Sequence, residues 1–163
     1  MKTLPDPPDG YYDKFKTKPV TVKPFDPASR QIAAAYVQKL RLLLRQWSME
    51  IALRGSTAWG IAGKGDIEIA VFPTADDWLN VIEALTTHYG PPGSLEPNYA
   101  RFNDIADGFD IEIVLLRGYE AVLDRRLHAY LSEHPELLVE YEQVRSRRFR
   151  PSDRNRRDRR RRR

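Results

Sequence analysis

The chain has 163 residues, 41% of them hydrophobic, which suits one domain with its own core and is too little for two. It holds no cysteine, which excludes a disulfide framework and any thiolate metal site, and no run approaches 18 apolar residues, which excludes a membrane-spanning helix. The formal net charge of +4 hides a division: residues 145–163 carry twelve arginines and two aspartates, so the remainder is acidic, at −6.

Residues 1–27 hold six of the twelve prolines. Fixed φ angles and missing N–H donors predict an extended arm, with Tyr11, Tyr12, Phe15 and Phe25 available to pack on a domain. No apolar stretch follows Lys2, so no secretory signal is expected and the cytoplasm is the expected location. In "DPASRQIAAAYVQKLRLLLRQW", Asp26 is the expected N-cap and Pro27 the first helical residue. Ile32, Tyr36, Val37, Leu40, Leu43, Leu44 and Trp47 then recur at helical spacing. "SMEIALRG" alternates Met49, Ile51 and Leu53 with polar or small residues and predicts a strand that ends at Gly55.

A Gly-Ser-Thr turn leads to a second strand, "GDIEIAVF", stopped by Pro73. "TADDWLNVIEALTTHYGPP" predicts a helix capped by Thr74 and closed by Gly90 and two prolines. "NYARFNDIADGFDIEIVLLRG" predicts two strands around an Asp107-Gly108 hairpin turn. "YEAVLDRRLHAYLSEHPELLVEYEQVRSR" predicts two helices broken near Pro135. The order α-β-β-α-β-β-α-α over residues 28–148 predicts an α+β domain, a small mixed or antiparallel sheet with helices packed on one face. Residues 149–163 cannot bury a core and are expected to be disordered; their arginine density favours polyanions such as RNA.

The chemistry concentrates in "LRGSTAWGIAGKGDIEIAVFP". Residues two apart on a strand share a face, so Asp66 and Glu68 point away from the core side taken by Ile67, Ile69 and Val71. "FDIEIVLL" repeats the pattern, with Asp110 and Glu112 opposite Ile111 and Ile113. If the two strands are neighbours, three or four carboxylates meet on one surface, a self-repelling cluster that a divalent cation relieves. Mg²⁺ takes hard oxygen ligands, and a pair of ions can activate an attacking oxygen and stabilise a leaving one. Gly55 lets the backbone approach a phosphate, Ser56 offers a hydroxyl, and Lys64 can neutralise further charge. "GIAGKGD" lacks phosphate-loop spacing and precedes a strand, so it is not one. His88, His128 and His134 fall on separate predicted helix ends with no metal-ligand spacing.

"GSTAWGIAGKGDIEI" resembles the signature of the nucleotidyltransferase superfamily typified by DNA polymerase β: Gly-Ser, a spacer, then two acids flanking one apolar residue. It is most similar to the GrpB-like branch, and "HAYLSEHPELLVEYEQVR" resembles that branch's last helices, so the likeness spans residues 32–148. The resemblance implies a nucleotidyltransferase-like fold and NMP transfer from an NTP to an acceptor, RNA or protein. It implies Mg²⁺ or Mn²⁺, as two ions, on Asp66 and Glu68 with Asp110 or Glu112 as third carboxylate. Gly55, Ser56, Thr57 and Lys64 would contact the nucleotide. The alternative it leaves is a catalytically silent GrpB-like module that contacts RNA or a partner through its basic tail. The second acid is Glu where Asp is commoner.

Overall fold

The computed structural model describes residues 21–148. Most of the Pro-rich arm and the Arg-rich tail from 149 onward lie outside the described residues.

α1 spans Ala28–Leu43 with Pro27 at its N-cap position, one residue later than the sequence predicts, and Asp26 just before it. The Ala28 N–H donates to the Asp26 carboxylate at 2.9 Å, and the Ser29 N–H donates to the Asp26 carbonyl at 3.0 Å. Ala33, Tyr36, Val37, Leu40 and Leu44 form its buried stripe. The chain continues through β1 (Glu50–Arg54), α2 (Gly55–Trp59), β2 (Ile67–Phe72), α3 (Trp78–Tyr89) and β3 (Ser94–Glu96). It ends with β4 (Tyr99–Ala106), β5 (Phe109–Leu116), α4 (Gly118–Glu133) and α5 (Pro135–Arg148). Thr74 leads into α3 by accepting from the Asp77 N–H at 3.2 Å and donating to the Asp77 carboxylate at 2.7 Å. Asp107 (φ 49°) and Gly108 (φ 81°) are both left-handed, as a tight β4–β5 hairpin requires.

The five strands form one mixed sheet in the order β1-β2-β5-β4-β3. β2 and β5 run parallel, and all the other pairs are antiparallel. The parallel pair becomes possible because α3 and the β3–β4 hairpin carry the chain back across the sheet before β5 begins.

α1 and α3 pack on one face of the sheet, over Ile67, Ile69, Val71, Ile111, Ile113 and Leu115. All six side chains are fully buried, and each contributes about 1.5–3 kcal/mol by leaving water. Tyr36 ties α1 to β4 by donating to Asp104 at 2.5 Å. The opposite face carries a smaller cluster, Ala70, Phe72, Val114 and Leu116, closed by Ala121 of α4. α4 therefore covers the C-terminal ends of β2 and β5, and their N-terminal ends stay open.

Two short elements go beyond the sequence reading. α2 occupies the stretch read as a turn, and β3 lies in a stretch for which the sequence predicts no element. His128 also departs from expectation: α4 runs unbroken from Gly118 to Glu133, so this residue is mid-helix. There it stacks on Trp59 with centroids 5.1 Å apart. Burial, followed by the nearby Arg54 charge, lowers its pKa, which makes it a neutral packing residue.

Candidate active site

The register of the parallel pair sets Ile67 beside Ile111 and Glu68 beside Glu112. One residue earlier on each strand stand Asp66 and Asp110. Side-chain alternation sends all four acids to the open face, because the intervening isoleucines are locked into the core. An open cleft of about 670 Å³ lies there, lined by Lys64, Asp66, Asn103, Asp110 and Glu112 among others.

The four acids are not equivalent. Asp110 is exposed at the rim, whereas Asp66, Glu68 and Glu112 are partly buried. The Lys64 ammonium lies 3.1 Å from Asp66 Oδ2 and 4.0 Å from Glu112 Oε2. Burial works against its charge, but Asp66, Glu112 and Glu68 outweigh that, and its pKa rises. On the other side, Arg101 Nη1 lies 4.0 Å from Glu112 Oε1. Glu68 makes no ion pair among the described residues. Burial first, then the charges of Glu112 and Asp66, push its carboxyl up to about 7. Asp104 also borders the cleft, yet its carboxylate is engaged by Tyr36 and by Lys39, the latter at 3.3 Å.

Arg54 is the register partner of Glu68 on β1 but does not neutralise it. Its side chain is 8% exposed and turns to α4, with Nε donating to Asp124 at 2.7 Å and Nη2 lying 3.5 Å from Glu50. This pairing fixes α4 to the sheet.

The glycine-rich stretch encloses the residues expected to meet phosphate. Gly55 (φ 66°) turns β1 into α2, and a side chain there would sit 3.6 Å from the Glu68 carboxylate. Ser56 and Thr57 are buried, 7% and 5% exposed. The Thr57 hydroxyl donates to the Asp66 carbonyl at 3.1 Å, which anchors the mouth of β2. Ser56 lies beneath Gly63, where a Cβ would come within 1.9 Å of the Ser56 hydroxyl oxygen. Gly63 is in turn held by Lys23 through paired backbone bonds of 2.7 and 3.0 Å. Glu142 of α5 accepts from the Ala62 N–H at 2.9 Å. The structure thus brings Gly55, Lys64, Asp66, Glu68 and Glu112 around one surface and turns the Ser56 and Thr57 side chains inward.

The donor set suits a hard divalent cation in kind: carboxylate oxygens, with an ammonium standing where a positive charge is called for. Among the described residues, however, no three ligating side chains are grouped closely enough to hold an ion as they stand.

The fold can be placed among known structures. The crystal structure of the conserved protein GrpB from Enterococcus faecalis is similar over 76% of this chain and 79% of that one, at 17% identity and a TM-score of 0.58. The chain has the GrpB fold. This is the architecture that the resemblance in sequence implied. A cytoplasmic RNA terminal U-transferase is similar over 67% of this chain and 37% of its own, at 17% identity and a TM-score of 0.47. The STING-associated CdnE c-di-GMP synthase from Capnocytophaga granulosa is similar over 55% and 33%, at 21% identity and 0.41. The chain thus spans about a third of the length of these two proteins. No family model matches the sequence, and no curated protein does.

Sequence reasoning did not single out Arg101, Arg54 or Asp124. The first had a usable signal: in "YARFN", Tyr99, Arg101 and Asn103 alternate with buried Ala100 and Phe102, which puts Arg101 on the acidic face. Asp124 had none, because its helix meets the sheet through tertiary packing.

Proposed function

We propose that the chain is a metal-dependent nucleotidyltransferase that moves an NMP group from an NTP to an acceptor hydroxyl or phosphate. The observation that carries this reading is the parallel juxtaposition of Glu68 and Glu112 on an open sheet face, with Asp66 at its mouth. Asp66 and Glu112, which share the Lys64 ammonium, are the groups that would hold Mg²⁺ or Mn²⁺. Such a cation would neutralise phosphate charge and acidify the acceptor. Asp110, exposed at the rim, is the less suited of the two third-acid candidates.

Glu68 has no cationic partner within ion-pair distance among the described residues and a carboxyl near pH 7, which suits it to receive the acceptor's proton. The acceptor oxygen attacks the α-phosphorus, the bond to the bridging oxygen breaks, and pyrophosphate leaves with its electron pair. Lys64 and Arg101 flank the acids and supply positive charge for the phosphates. Gly55 keeps the backbone beside Glu68 free of a side chain.

Incubation with each labelled NTP, Mg²⁺ or Mn²⁺, and total RNA or lysate tests the reading. Label transferred to a macromolecule supports it, and no transfer with any nucleotide overturns it.

The inward-turned Ser56 favours a second reading, a catalytically silent module that contacts RNA or a partner through residues 149–163. Calorimetric titration with NTP and Mg²⁺ separates the two, because a silent module shows no metal-dependent nucleotide affinity.

A further inference from the structure

We propose that Lys64 is the built-in counter-ion of the metal-free site, and that a divalent cation enters by displacing its ammonium from Asp66 and Glu112. The inference rests on the reading above that these two acids hold the metal.

Three features carry it. First, Lys64 Nζ donates to Asp66 Oδ2 at 3.1 Å and lies 4.0 Å from Glu112 Oε2, so it stands between one oxygen of each acid, where a shared cation belongs. Second, the ammonium is not locked in place. Its side chain is 43% exposed, and these two carboxylates are its ion-pair partners among the described residues. Third, the backbone just before Lys64 is paired with the segment at Lys23, so the side chain is the part most able to move. Gly63 is clamped between Ser56 and the Lys23 backbone, and Gly65 (φ 84°) lies under the Lys23 side chain, 2.8 Å from where its own Cβ would be.

An ammonium and a hard divalent ion compete for the same oxygens, and two positive charges cannot share them without repulsion. Displacement removes one charge from the acids and leaves it free beside them, where the anionic substrate would lie. Cation entry and phosphate binding are thereby coupled through one side chain: the empty site is neutralised from within, and the filled site gains a phosphate ligand.

The test is Mn²⁺ binding to the full chain without nucleotide, read by electron paramagnetic resonance of the free ion. It compares the wild type with Lys64→Met and Arg101→Met, each checked for native circular dichroism. Arg101 serves as the control because it too lies 4.0 Å from Glu112 yet does not touch Asp66 among the described residues. Lys64→Met is expected to tighten Mn²⁺ binding about fivefold, the scale of one partly exposed ion pair. Arg101→Met is expected to give clearly less, and Asp66→Asn added to Lys64→Met should cancel the gain. Equal Mn²⁺ affinity in the wild type and Lys64→Met, or an equal gain in Arg101→Met, overturns the displacement and leaves the metal reading standing. No Mn²⁺ binding in any variant overturns both.

Discussion

Glu68 of β2 and Glu112 of β5 are direct register partners on adjacent parallel strands, and both face the open side of the sheet. Like charges placed this way repel. The chain relieves the repulsion at Glu112 with Lys64 and Arg101, whereas Glu68 keeps a proton to about pH 7.

That proton makes metal-free stability depend on pH. Between the ordinary value of 4.5 and about 7, folded Glu68 retains a proton that the unfolded chain has released. Stability is therefore fully present below pH 4.5 and falls as pH rises through about 7. Glu68→Gln abolishes this dependence. By differential scanning calorimetry in EDTA, the variant should melt roughly 3–6 °C above wild type at pH 8. The two should converge near pH 4.5.

Asp66→Asn should lower NMP transfer by roughly a hundredfold or more, since it removes a charge that opposes the cation and frees Lys64. Circular dichroism should be unchanged, because the Thr57 bond goes to the Asp66 backbone. Transfer at the wild-type rate removes Asp66 from the mechanism.

Among the described residues, Arg54 and Asp124 form the least exposed ion pair joining α4 to the sheet, with side-chain exposures of 8% and 20%. Asp124→Ala leaves the buried guanidinium with the more exposed and more distant Glu50 carboxylate and should cost about 3 kcal/mol in urea unfolding. The double variant Arg54→Met/Asp124→Ala should recover part of the loss.

Gly63→Ala drives a methyl group into the Ser56 hydroxyl, 1.9 Å away. It should destabilise by about 1–3 kcal/mol, and Ser56→Gly in the same chain should relieve most of this. A neutral Gly63→Ala means that the loop does not seat on Ser56.

Deletion of residues 150–163 removes nine arginines and should weaken RNA binding and flatten its salt dependence, because that term comes from released counter-ions. Filter binding across salt concentrations reads both.

Much of this was legible before any coordinates. Alternating isoleucines fixed which side of β2 and β5 faced the core, and therefore where Asp66, Glu68, Asp110 and Glu112 pointed. Asp107-Gly108 marked the hairpin through local chemistry, which a chain carries in itself, whereas Asp26 and Thr74 lie one and three residues before the N-cap positions Pro27 and Asp77. The remainder depended on distant partners. β3 is three residues long and is held by β4, so it has no period of its own to read. α2 is likewise too short for helical periodicity. Nothing in "RGST" reveals that Arg54 turns to Asp124, or that Gly63 covers Ser56, since both follow from α4 and the segment at Lys23 reaching across the chain. Alternation also does not encode depth along the strand, which leaves Asp110 exposed and Glu112 partly buried.

The parallel pairing of β2 with β5 means that no continuous peptide lacking the stretch from 68 to 112 contains both glutamates. Excised fragments of either strand carry isolated acids with ordinary affinity for divalent ions. An ion coordinated by both strands would therefore select the completed chain over its partly assembled forms, and titrating that ion during refolding would time the closure of the crossover.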